Sequence, residues 1–218
     1  MGFPTPFLDC LILAATAYPS GFGHSLHHTF GGRPGSVTTA YLGVLLLPYV
    51  AVAFAIVWMR PGLIAFAPAS AGWLAMAVLA APVALGMELG IHGLRAYRAT
   101  GRFPRFELPP IWRVRFRPTD RLLVGAIVVG EEVFYRQVWL GVAMASLGWA
   151  MPVALAAGSV AYGLNHLAFG GWTVVSKSLC GAVYGLLFLA AGGSLWPAIV
   201  AHGLQNVLLF RLAGGRHA

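Results

Sequence analysis

The chain has 218 residues, of which 59% are hydrophobic and 9% charged, with a net charge of +8 and a mean hydropathy of +0.78. Soluble domains carry charge on about a quarter of their residues, so this composition excludes an ordinary water-soluble protein and makes the bilayer the natural solvent. The positive charge is concentrated beside apolar runs rather than spread over a surface, so no nucleic-acid partner is expected.

Residues 1–36 form an N-terminal segment whose apolar run, 7–17, falls short of the roughly 20 residues a helical span needs. It reads as an interfacial, re-entrant or additional helix. No basic residue precedes the run, which argues against a cleaved signal peptide. His24, His27 and His28 cluster at helical spacing, but in a Gly/Ser-rich stretch without a nearby carboxylate they do not make a metal site. Residues 37–94 hold two spans, 37–59 and 71–94. Glu88 and His92, four residues apart near the end of the second, read as a helix-end pair reaching toward the interface.

Residues 95–121 are a basic loop, with Arg95, Arg98, Arg102, Arg105, Arg113, Arg115, Arg117 and Arg121 opposed by Glu107 and Asp120. The positive-inside rule places this loop in the cytoplasm, where it meets anionic headgroups. Residues 122–212 carry four more spans, 122–147, 150–169, 174–191 and 195–212, and 213–218 form a cytoplasmic tail. With this orientation Arg33, Lys177, Arg211 and Arg216 share the cytoplasmic side and Arg60 lies outside. Trp58, Trp73, Trp149 and Trp196 gather at the outer interface as an aromatic belt. Cys10 and Cys180 have neither disulfide nor zinc spacing and read as small packing residues. The expected fold is an all-α polytopic transmembrane bundle of about six to eight helices in the cell membrane.

Ionisable groups inside a span cost about 2.5–3.5 kcal/mol each on insertion scales, so they mark function. The span 122–147 contains Glu131, Glu132 and Arg136, with Glu132 and Arg136 four residues apart in the favoured order. The next presents Tyr162, Asn165 and His166, and the last presents His202 and Asn206. Three late helices thus carry polar stripes. Facing one another, they would form a wet buried site in which carboxylate, imidazole and amide activate water and hold an oxyanion.

These residues fall into three ordered motifs, GEEVFYR, YGLNH and HGLQN. Their order resembles the CAAX-protease and bacteriocin-processing family of glutamic intramembrane proteases, over about residues 120–210. Tyr162 stands where that family often has Phe. The resemblance implies an intramembrane endopeptidase that acts on a membrane-associated polypeptide and needs no cofactor. Glu131 would be the general base, assisted by His166. His202 and Asn206 would hold the oxyanion, and Arg136 would pair with Glu132 to orient the acids. Two alternatives stand beside it. One is a zinc metalloprotease using His166, His202 and Glu131, although the His-Glu-x-x-His signature is missing. The other is a non-enzymatic membrane protein, such as a transporter or a bacteriocin-immunity factor.

Overall fold

The computed structural model describes residues 5–30, 39–103 and 116–214. Arg33, Arg105, Glu107, Arg113, Arg115, Arg216 and most of the tail lie outside the described residues, as does the start of the first span.

Eight helices account for most of the described chain. The N-terminal segment forms two of them, α1 (Thr5–Ala17) and α2 (Pro19–Thr29), which meet at Tyr18. Pro19 opens α2, at the end where its missing N–H and fixed φ cost nothing. The long helices α3 (Thr39–Met59) and α4 (Ala71–Thr100) follow. Helix α4 starts at Ser70, whose side chain accepts from the Trp73 N–H, and stops at Gly101 with φ of 68°. It therefore runs six residues past the expected 94. Helix α5 (Pro118–Glu132) continues through a wide π-type turn, Val133–Val138, a short α stretch, Trp139–Gly141, and a second π-type stretch, Val142–Ser146. Then come α6 (Met151–Leu164), a tight 3₁₀ turn at Leu167–Phe169, α7 (Gly171–Ala190) and α8 (Trp196–Gly214).

The core is mainly hydrophobic, but so is the exterior. Leu47, Val50, Phe54 and Val57 on α3, and Met76, Leu79 and Val83 on α4, point outward, while Asp9, Glu88, Glu132, Arg136 and Gln205 are enclosed. Apolar side chains on the outside, with the ionisable groups enclosed within the packed core, are what a hydrocarbon solvent selects. Among the described residues, α3, α4 and α7 are long and apolar enough by themselves to cross a membrane. The other expected spans, 122–147, 150–169 and 195–212, are not among these. Helix α6 has 14 residues because the chain tightens after Leu164, and α5 has 15, among them the charged Asp120, Arg121, Glu131 and Glu132.

Helix α4 packs against α7 and α8, α6 and α7 form an antiparallel pair, and α3 lies between α2 and α5. In lipid, helices associate through close packing and small residues rather than through a hydrophobic drive. At the α6–α7 seam a Cβ on Gly181 would sit 2.9 Å from Tyr162 Cδ1 and 3.2 Å from the Ser159 Cα. Glycine is what lets these backbones meet. Polar ties hold the end that bears Arg60. Asp9 on α1 is buried, pairing with Arg60 and accepting from Ser146. Gln137 donates to the Ala65 carbonyl at 2.6 Å and Ser194 to that of Ala67 at 2.8 Å. Arg60, expected as a lone cation on the outer side, is thus one half of an ion pair. Cys10 is exposed on α1 and only Cys180 is buried, so the packing role expected of both holds for one.

At the opposite end Asp120 ties the start of α5 to α3. Its carboxylate accepts from Thr39 Oγ1 at 2.5 Å and from the Arg117 N–H at 2.7 Å. These hydrogen bonds favour the ionised form and hold its pKa below the ordinary aspartate value.

Two outcomes are expected. Gly181→Val overpacks the α6–α7 seam and destabilises the protein by about 1–3 kcal/mol, whereas Gly90→Ala, where a Cβ meets nothing within 4 Å, leaves stability unchanged or raises it; thermal unfolding in detergent compares them. Asp120→Ala lowers the melting temperature at neutral pH. The sign follows from the lowered native pKa: the stabilisation is full above the unfolded value of about 4 and fades as pH falls through the native one. Wild type and variant therefore converge on acidification, and a gap that persisted in acid would refute the assignment.

Candidate active site

The centre of the bundle holds Glu131 and Glu132, adjacent on α5 but serving different neighbours. Gly130 makes this possible. A Cβ there would lie 2.9 Å from Tyr49 Cδ1, so glycine lets the α3 tyrosine lie across α5, stacked on Phe134 with centroids 5.4 Å apart. The Tyr49 hydroxyl then donates to Glu131 Oε1 at 3.3 Å. Asn165 Nδ2 donates to the same oxygen at 3.1 Å and to the Tyr49 hydroxyl at 2.7 Å. Its own Oδ1 accepts from the Ser20 N–H at 2.9 Å, and Ser20 Oγ lies 3.1 Å from the Tyr49 hydroxyl. One oxygen of Glu131 is thus anchored by groups from α2, α3 and the end of α6.

Two imidazoles flank that carboxylate. His166 Nε2 lies 3.7 Å from Glu131 Oε1, and His202 Nε2 lies 3.8 Å from Oε2. Both distances exceed a direct hydrogen bond, and both rings are held from behind. His166 Nδ1 donates to the Tyr162 carbonyl at 3.0 Å, which leaves Nε2 as the nitrogen facing Glu131. His202 Nδ1 donates to Glu132 Oε1 at 2.8 Å, and Glu132 Oε2 accepts from Arg136 Nε at 2.8 Å. Glu132 is therefore wholly committed to Arg136 and His202. The Arg136 guanidinium lies 5.0 Å from the centroid of Tyr162 and 5.6 Å from that of Tyr184, and Tyr184 stacks on His202 at 5.0 Å. Cation–π contact of this kind satisfies a desolvated guanidinium where hydrogen-bond partners run short.

His166 does not lie on the helix expected to carry it. Helix α6 ends at Leu164, and His166 begins the 3₁₀ turn. The sequence spacing alone would set His166 at a different depth from Glu131. Tightening the chain after Leu164 swings the ring back beneath Tyr162 and closes that gap.

A chamber of about 80 Å³, measured as space open to the centre of a water molecule, adjoins these groups. Glu131, His166, His202 and Asn206 share its wall, and Tyr41, Leu42, Phe116 and Val124 line it toward the end of the bundle where α5 begins. Asn206 is 6% exposed and its Oδ1 has no partner.

A second polar set forms another part of the chamber wall. Lys177 donates to Glu88 Oε2 at 2.9 Å, and Gln205 donates to the same oxygen at 2.6 Å. Tyr184 in turn donates to Gln205 Oε1. This corrects two expectations. Glu88 and His92 are buried rather than snorkelling to an interface, and Lys177 is a buried partner of Glu88 rather than a cytoplasmic surface charge. The reason is reach: a lysine on α7 has an acid to meet across the α4 seam. His24, His27 and His28 pack against one another and His24 and His27 against Tyr41. Among the described residues no three His, Cys, Asp or Glu side chains converge as a metal-ligand set.

The ordered site on α5, the α6 turn and α8 coincides with a family match. Residues 121–208 match the model of the family described as "Type II CAAX prenyl endopeptidase Rce1-like". This stretch is Rce1-like. The resemblance read from the three motifs and this match fall on the same stretch of the chain. No curated protein and no solved structure matches the chain. Tyr49, Ser20 and Glu88 precede the matched stretch, and the sequence reading assigned none of them to this site.

One outcome follows from the second polar set. Lys177→Met strands the Glu88 carboxylate and destabilises the protein by about 3–5 kcal/mol, whereas Glu88→Gln combined with Lys177→Met recovers most of the loss. A double-mutant cycle read by thermal unfolding decides this; additive losses would mean that the pair is not coupled.

Proposed function

We propose that the chain is an intramembrane endopeptidase that hydrolyses a peptide bond of a membrane-associated polypeptide, with Glu131 as general base. The observation that carries this reading is the setting of Glu131. One of its oxygens is anchored by Tyr49 and Asn165, and the carboxylate stands 3.7 and 3.8 Å from two imidazoles fixed from behind. A water bonded between Glu131 and His166 fits that spacing.

The reaction then runs as follows. Glu131 takes a proton from the water, assisted by His166, whose Nδ1 donates to a carbonyl and whose Nε2 is free to accept. The water oxygen bonds to the scissile carbonyl carbon, and the carbonyl electrons move to oxygen. His202, carrying a proton on Nε2 and backed by Glu132, donates to that oxyanion. Asn206, with its side-chain amide turned to present NH₂, donates as well. As the carbon–nitrogen bond breaks, the proton held by Glu131 passes to the leaving amine. Arg136 keeps Glu132 ionised and in place, so that neighbouring carboxylates do not compete for one role. Phe116, which lies in the basic loop, lines the chamber, and with that loop cytoplasmic the substrate arrives from the cytoplasmic leaflet.

Glu131→Gln is expected to abolish cleavage while membrane insertion stays normal. Asn206→Ala, which removes one oxyanion donor, lowers kcat by about a hundredfold to a thousandfold. Comparing membrane proteomes of cells carrying wild type and Glu131→Gln identifies the substrate as the precursor that accumulates. Undiminished proteolysis by Glu131→Gln would refute the reading, and so would a phenotype that depends on the chain but not on Glu131.

A further inference from the structure

Two helix seams use glycine in opposite ways. Between α6 and α7, glycines let the backbones touch. Between α5 and α8, a Cβ on Gly125 or on Gly203 would meet nothing within 4 Å. The missing side chains there leave a cleft of about 600 Å³ instead of a contact.

The cleft has a polarity of its own. Arg121 from the first turns of α5 and Arg211 from the last turns of α8 border it at the end where α5 begins. Both are exposed, and neither has a carboxylate partner among the described residues. The Arg121 guanidinium lies 5.7 Å from the Phe210 centroid, stacked on the cleft wall. Deeper in, the walls are Val128 and Val207, and Asn206 closes the inner end with its buried, unpartnered Oδ1. Val124, Val128 and Asn206 border the chamber as well.

We propose that this α5–α8 cleft binds one anionic phospholipid, with its headgroup phosphate between Arg121 and Arg211 and an acyl chain along the glycine-lined wall. Charge complementarity selects the occupant. Two guanidiniums with no acidic partner among the described residues, at one end of an otherwise apolar slot, match a phosphate joined to a hydrocarbon chain. From Arg121 to Val128 the slot rises about 10 Å along α5, so a chain segment fits and a polar solute does not. The lipid abuts Asn206 without entering the chemistry assigned to Glu131.

The first readout, retained lipid, does not depend on proteolysis. The full chain is purified from vesicles of phosphatidylcholine mixed with phosphatidylglycerol, and retained lipid is measured by native mass spectrometry. Wild type is expected to retain phosphatidylglycerol. The Arg121→Gln, Arg211→Gln double variant should lose it by about thirtyfold, from roughly fivefold per arginine at an anionic surface. Gly203→Leu fills the slot without changing charge and should lose it too, while Arg98→Gln on α4 should not. Size-exclusion profiles identify variants that fold, and Gly125→Leu replaces Gly203→Leu if that variant does not. Equal retention by the double arginine variant overturns the proposal. Retention by a folded slot-filling variant overturns it in favour of loose headgroup attraction. Cleavage that falls on filling the slot while lipid retention is unchanged overturns it in favour of a substrate segment in the cleft.

Discussion

The structure depends on how one buried carboxylate is neutralised. Glu132 is wholly enclosed in the bundle, where a lone charge would cost several kcal/mol. It is tolerable because Arg136, one turn along the same helix, meets one oxygen and His202 from α8 meets the other. This bridge ties α5 to α8 at the level of the site and holds the His202 ring with Nδ1 toward Glu132 and Nε2 toward Glu131. It also leaves Glu131 as the member of the acidic pair that faces the chamber. Adjacent acids on a helix point about 100° apart, so commitment of one to the protein and exposure of the other to a ligand follows from chain geometry.

How much of this was legible in the sequence differs by element. The late motifs were legible because an ionisable residue inside an apolar run stands out against its neighbours, and i,i+4 spacing predicts which of them share a face. Glu132 and Arg136 therefore pair as the spacing required. The start of α4 was legible where Ser70 precedes it, but its end was not: the basic residues after 94 masked a helix that runs on to Gly101. The place of His166 was not legible either, since a tight turn after Leu164 breaks the helical extrapolation. Lys177 and Glu88 were misread for a related reason. Each looks like a charge near a span end, and only the pairing of α4 with α7 shows that they face each other.

Tyr49 and Ser20 were invisible for another reason. Tyrosine and serine are ordinary packing residues in membrane helices, and nothing in their local spacing marks a contact with a carboxylate 82 residues later in the chain. The position of Tyr49 comes from Gly130, where a missing side chain admits its ring. The matched stretch, 121–208, thus carries the acids and imidazoles, while earlier helices supply the hydroxyl and backbone N–H that hold Glu131 and Asn165. The N-terminal half closes the site that the later half displays.

The two π-type stretches of α5 fit the same logic. A π turn inserts an extra residue into the helical register and locally widens the backbone, and such turns recur at functional sites. Here the first begins directly after Glu132 and carries Arg136, and the second ends at Ser146, which donates to Asp9. One helix therefore meets demands set by different partners at its two ends: α3, α8 and the α6 turn around Glu131 and Glu132, and α1 with the Arg60 pair near Ser146. A regular α-helix rotates its side chains at one fixed rate, so meeting both sets requires a change of register between them. The widened turns supply that change without breaking the backbone hydrogen bonding that a bilayer enforces.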